Sequence, residues 1–140
     1  MNNIKEDILK SSRELFTNYG YKKVSMDEIA KASGVTKKTV YSYFKDKASL
    51  LKTLIDEEMA KMRKIIISHS NINDENFFEE VNKTLYDLLK YKREAKLFVT
   101  LTKEADELNT ISSKNSIEMI DDAILSFIKE RLSWAIEKGY

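Results

Sequence analysis

The sequence predicts an all-α protein, on three observations. Of 140 residues none is proline and only 3 are glycine, against a usual combined share of roughly 12 per cent, and a fold rich in strands and tight turns needs more of both. Apolar residues recur at intervals of three and four, the period of one helix face. Ser, Thr, Asp or Asn stands just before several of these runs, where a side-chain oxygen can cap the first N–H groups of a helix. Folding at this length buries roughly two-thirds of the unfolded chain's surface, enough for one domain or two small ones sharing a core.

Ile4, Ile8, Leu15, Phe16 and Tyr19 mark the apolar side of a first helix, and Gly20 stands where a left-handed residue would close it. The second start is more complete: Ser25 as N-cap, Glu28 as its capping-box partner, Val24 and Ile29 at the staple spacing. That helix stops near Ser33-Gly34. Thr36 caps a third helix, Lys37 to about Tyr43, with Val35 and Val40 repeating the staple. Asp46 caps a long fourth helix with Leu50, Leu51, Leu54, Ile55, Met59, Met62 and Ile66 on its apolar side. Asn73 is expected to cap a fifth, with Ile72 and Phe77 as staple and Phe78, Val81, Leu85, Leu88 and Leu89 inward. A sixth spans roughly Glu94 to Asp106. The last runs from about Ser113 to Lys138, with Ile117, Ile120, Ile124, Phe127, Ile128, Leu132 and Ile136 inward. Seven helices are expected, with no repeat and no low-complexity linker.

Composition also bounds function. The absence of cysteine removes disulfides, thiolate metal sites and cysteine nucleophiles. His69, the one histidine, cannot build a multi-histidine zinc site and is expected at a surface or helix end. The 23 carboxylates are not grouped with a nucleophile or with metal ligands, and the Asp56-Glu57-Glu58 and Asp121-Asp122 runs read as solvated helix faces. No catalytic residue, metal or cofactor is therefore expected. The longest apolar runs, Ile65 to Ile67 and Leu97 to Val99 among them, fall far short of the ~20 residues of a membrane span, and the N-terminus lacks the apolar stretch of a secretory signal. A cytoplasmic protein without membrane contact is expected.

The net charge of +1 hides an asymmetry. Residues 1–53 hold eleven Lys/Arg against six Asp/Glu, and residues 54–140 thirteen against seventeen. A basic N-terminal third on an acidic remainder fits a nucleic-acid-binding head on a partner-binding body.

The informative stretch is residues 25–47, SMDEIAKASGVTKKTVYSYFKDK. Two short capped helices around a glycine-containing turn form a helix-turn-helix, whose second helix can enter the major groove. Ala30 is small where the helices approach, Gly34 can take the positive φ of a sharp turn, and Val40 and Phe44, four apart, anchor the second helix on the core. Its free face then holds Lys37, Lys38, Tyr41, Ser42 and Lys45. The N-terminal end, with the Thr36 hydroxyl, suits a phosphate, and lysines there reach guanine O6 and N7 or a phosphate oxygen. Tyr41 is read as a DNA contact; Tyr43 is divided between contact and core.

Residues 1–55 resemble the DNA-binding head of the TetR/AcrR family of bacterial transcriptional repressors. The resemblance is carried by Phe16 to Tyr21 (FTNYGY), Ser25 to Ala30 (SMDEIA), Gly34 to Thr36 (GVT), Val40 to Phe44 (VYSYF) and Lys47 to Leu50 (KASL), in that order. It implies a three-helix, homeodomain-like head over residues 1–46 and a helical effector-binding and dimerisation body over residues 47–140. Phosphate contacts are implied for Thr36, Tyr41, Tyr43 and Lys47 and base contacts for Lys37, Lys38 and Ser42, with Ser25 joining the DNA-binding set. Implied partners are operator DNA, a second copy of the chain and a small apolar or amphipathic effector. Relatives usually continue with two further helices that form the dimer interface, so the body is expected to be incomplete.

If the body holds a pocket, Tyr86, Phe98, Phe127 and Trp134 are the aromatic candidates to line it, although aromatics at helical spacing also read as core. The functional expectation is a repressor whose effector favours a different spacing of two heads, coupled through the long helix that starts at Asp46. The alternative is a helical adaptor whose helix-turn-helix serves protein contacts.

Overall fold

The computed structural model describes residues 3–69 and 71–139; among them are seven helices. Helix α1 (Ile4–Tyr19) starts where the Asn3 side chain accepts the Glu6 N–H. It ends at Gly20, whose φ of +86° favours glycine and whose N–H returns to the Phe16 carbonyl at 2.9 Å. Helix α2 (Met26–Ser33) is capped by Ser25, whose Oγ accepts the Glu28 N–H at 3.1 Å and donates to the Glu28 carboxylate at 3.2 Å. Gly34, left-handed at φ +72°, stops α2, and the Val35 N–H reaches back to the Ala30 carbonyl. Helix α3 (Lys37–Tyr43) follows from the Thr36 cap. Helix α4 (Lys47–Ser68) starts at Asp46, whose carboxylate accepts the Ser49 N–H at 2.7 Å; that bonding holds Asp46 below the usual carboxylate range. Then come α5 (Phe77–Glu94), α6 (Lys96–Leu108) and α7 (Ile111–Glu137).

The first three helices close around Ile8, Phe16, Val24, Ile29, Ala30, Val40 and Phe44, whereas Ile4 and Tyr19 of the expected stripe on α1 lie exposed. Leu50, Leu51, Leu54 and Ile55 of α4 join the same cluster. It then continues without a break through Met62, Leu88, Leu97, Phe98, Leu101, Ile120, Ile124 and Phe127. Each such side chain contributes about 1.5–3 kcal/mol on burial, so α4 is held at one end by the head and along its length by the body.

Several expectations need correcting in the body. Helix α5 begins at Phe77, not behind an Asn73 cap: the Asn73 side chain instead accepts the Glu75 and Asn76 N–H groups and closes a turn before the helix. Phe78, at 62% exposure, and Leu89 face outward, as do Leu132 and Ile136 of α7. A helix offers the core one stripe, and on α5 that stripe is filled by Phe77, Thr84 and Leu88. Glu58 does not lie on a solvated face; it is 3% exposed and paired with Arg13.

His69 closes α4, as its expected place at a helix end suggests, and lies between two carboxylates of α5. Its Nδ1 is 3.2 Å from Glu80 and its Nε2 2.8 Å from Asp87. Only the imidazolium can donate from both nitrogens. The bonds to Asp87 and Glu80 raise its pKa above the ordinary 6.5. A raised folded-state pKa means that this clamp stabilises fully below about pH 6.5 and is lost as pH rises through the folded value. Melting temperature is therefore expected to fall between pH 6 and pH 8, and the Glu80→Gln/Asp87→Asn variant to lose most of that dependence. Parallel pH profiles for the two proteins would remove the clamp from the account.

Candidate nucleic-acid interface

The recognition surface follows from how α3 is seated. Val40 and Phe44 are buried, and the residues between and before them are left outside. Tyr41 is 46% and Tyr43 45% exposed, so neither tyrosine belongs to the core. Lys37, Lys38, Ser42 and Lys45 are exposed with them. Lys37 lies 3.4 Å from Asp27 of α2, a surface ion pair of the kind that contributes little. The Ser42 hydroxyl donates to the Thr39 carbonyl at 2.6 Å and keeps an acceptor site outward. Thr36 is exposed, its Oγ1 accepting the Thr39 N–H at 3.1 Å. Ser25, also exposed, is occupied as the cap of α2.

Lys47 is placed differently from the others. Its ammonium donates to the carbonyls of Tyr21 and Val24 at 2.9 Å each and sits 4.3 Å above the Tyr21 ring. Burial pushes its pKa below the ordinary lysine value, and the nearby Glu104 and Glu28 charges offset part of that. In the free protein this lysine ties the start of α4 to the turn before α2.

The head is also tied to the body by polar side chains. Arg13 of α1 forks onto α4, pairing with Glu58 and, at 2.9 Å, with Glu57; Lys61 lies 3.4 Å from Glu58. Thr100 of α6 donates to the Thr17 carbonyl near the end of α1 at 2.7 Å. The head is thus joined to the later helices through α6 as well as through the long helix α4. The readable signal was a carboxylate at an inward position: Glu58 falls in the stripe Leu51, Leu54, Ile55, Met62, and Glu104 in the stripe Leu97, Leu101, Ala105.

The four aromatic candidates of the body do not converge. Phe98 and Phe127 are core residues, Tyr86 is exposed, and Trp134 stacks on Phe77 with ring centroids 4.5 Å apart. None of them lines the groove of about 650 Å³ between α5 and α6, where Leu89 and Val99 are flanked by Lys92, Arg93 and Lys103 and by Asp106 and Glu107. Among the described residues no three His, Cys, Asp or Glu side chains come together so as to hold a metal ion, and no helix is long and apolar enough to cross a membrane.

Residues 8–54 match the family model of bacterial regulatory proteins, tetR family. That segment is α1, α2, α3 and the first turns of α4, the unit whose geometry is given above. Over that segment the chain is similar to the TetR family. Along 135 residues it is 28% identical to the uncharacterized HTH-type transcriptional regulator YhgD of Bacillus subtilis (strain 168), covering 96% of this chain and 70% of that one. It is 22% identical over 138 residues to the HTH-type transcriptional repressor AcnR of Corynebacterium glutamicum, covering 98% of this chain and 68% of the other. The solved fatty acid degradation regulator FadR from Bacillus halodurans superposes with a TM-score of 0.74 at 24% identity, over 100% of this chain and 72% of that one. These likenesses support a helix-turn-helix transcriptional regulator, and the superposition extends the shared fold from the head through the body.

Proposed function

We propose that this regulator represses transcription by placing α3 in the major groove of an operator, with Lys37, Lys38 and Ser42 toward the bases and Thr36, Tyr41 and Tyr43 toward the phosphates. The observation that carries this reading is the seating of α3: two anchors buried, and a face of lysines and tyrosines left out on the more basic third of the chain. A second copy would bring a second α3 to the next major groove, about 34–36 Å away. Repression in particular is supported by the similarity to the transcriptional repressor AcnR.

A small amphipathic effector is proposed to relieve repression by binding the body. Its candidate seat is the α5–α6 groove, with Leu89 and Val99 for an apolar part and Arg93 and Lys103, beside Asp106 and Glu107, for a polar one. An effector acts only through different affinities for the DNA-competent and incompetent poses. Titration of the chain with duplex from its own promoter, at rising salt, tests the DNA reading. Affinity is expected to fall as salt rises, because the exposed lysines of the recognition face, Lys45 included, displace counterions from the duplex. A flat salt dependence would favour an adaptor that uses the helix-turn-helix for protein contacts, and equal affinity for unrelated duplexes would remove the base-reading assignment.

A further inference from the structure

We propose that Glu104 is the positioning residue through which the body fixes the orientation of the DNA-binding head. It lies on the inward side of α6 and is 6% exposed. One carboxylate oxygen accepts the Tyr21 N–H at 3.0 Å and the Ser113 hydroxyl at 2.7 Å, and the other accepts the Lys22 N–H at 2.7 Å. A body side chain thus satisfies two main-chain donors of the turn between α1 and α2, and a side chain of α7 holds it in that pose. Charge-assisted bonds of this kind are about twice as strong as neutral ones.

Gly20 of the turn packs beside the carboxylate at ordinary contact distance. A Cβ on Gly20 would stand 3.4 Å from a Glu104 oxygen, at a φ that already disfavours any other residue. From the opposite side, Lys47 of α4 donates to the carbonyls of Tyr21 and Val24. The N–H groups of the turn therefore belong to α6 and its carbonyls to α4. The Arg13 fork ties α1 to α4, which already shares the core of the head, whereas Glu104 reaches the segment that leads into Ser25 and α2. If α6 slides against α7, either the Ser113 bond breaks or the turn is drawn along, and the helix-turn-helix follows. The consequence for DNA rests on the function proposed above; the placement of the head does not.

The Glu104→Gln variant keeps the side chain's length but sets an amide N–H₂ against donors, leaving at least one of the three bonds unmade. With no native cysteine, spin labels at Lys31→Cys on α2 and Lys90→Cys on α5 report the head-to-body distance in the full chain by pulsed EPR, diluted with unlabelled protein. The distance distribution is expected to broaden in Glu104→Gln while helicity is retained, and operator affinity to fall about tenfold. Glu104→Asp, which keeps the charge but shortens the reach, should give an intermediate width and supplies the reading if the glutamine variant does not fold. Superimposable distributions in both variants would overturn the proposal. A fall in operator affinity with an unchanged distribution would overturn it too. Broadening in Glu104→Gln, with a parent chain that binds no DNA, would uphold Glu104 and count only against the proposed function.

Discussion

Replacing Arg13 with alanine is expected to destabilise the fold by about 3 kcal/mol, a large part of the 5–15 kcal/mol that holds an ordinary domain together. The reason is what remains behind. Glu58 is 3% exposed and sits in the apolar stripe of α4, so losing the guanidinium leaves a buried carboxylate with only Lys61, 3.4 Å away and mostly in solvent. Removing both charges tells a different story: Arg13→Met with Glu58→Leu should recover most of the loss, because the desolvation cost disappears with the pair. Urea unfolding of the two variants, read at constant m, makes the comparison. If Arg13→Ala stays within about 0.5 kcal/mol of the parent, the pair behaves as a surface contact and α1 is held to α4 by packing alone.

The second large effect is expected on DNA. Removing Lys37, Lys38 and Tyr41 together should weaken operator binding by about 4 kcal/mol, on the order of a thousandfold, since each contact to a base or phosphate contributes roughly 1–3 kcal/mol. The three side chains are exposed, so the melting temperature should stay within a degree or two of the parent's. Lys47→Ala is the contrasting variant. It deprives the Tyr21 and Val24 carbonyls of their donor, and its loss should appear first in stability, by about 1–2 kcal/mol. A normal melting curve for Lys47→Ala with a uniform loss across all DNA sequences would instead return that lysine to the phosphate contacts its family resemblance implies. Titration by fluorescence anisotropy, paired with thermal melts of the same preparations, separates the two kinds of residue.

The head was legible in the sequence because its signals are local. Ser25, Thr36 and Asp46 each act within three residues of themselves, and Gly20 and Gly34 each impose one backbone conformation. The exposed face of α3 followed by elimination once Val40 and Phe44 were assigned inward. The body was less readable. Its helices carry apolar residues on more than one side, so periodicity gave their existence but not which stripe wins: Phe77 turned in and Phe78 out, although both fit a staple or a core. Asn73 carried a valid capping signal one turn too early, since its side chain closes a turn just as well.

The site residues that sequence reasoning missed are those defined by distant partners. Glu58 finds Arg13 45 positions away, and Glu104 finds Tyr21 83 positions away. A short run of acidic residues such as Asp56-Glu57-Glu58 looks solvated until the core stripe is drawn through it. Lys47 could be placed at the start of α4 from its motif, but the carbonyls that take its protons come from a turn whose path no local signal fixes.

The central claim is that the exposed face of α3 is what meets DNA. The most direct test is an amide-resolved NMR titration of the 140-residue chain with a duplex from its own promoter. The account predicts that the largest changes fall on residues 36–43 and on the turn before α2, with the outer faces of α5 and α7 unmoved. Shifts centred on Phe78, Tyr86, Leu132 and Ile136 with α3 unchanged would contradict it.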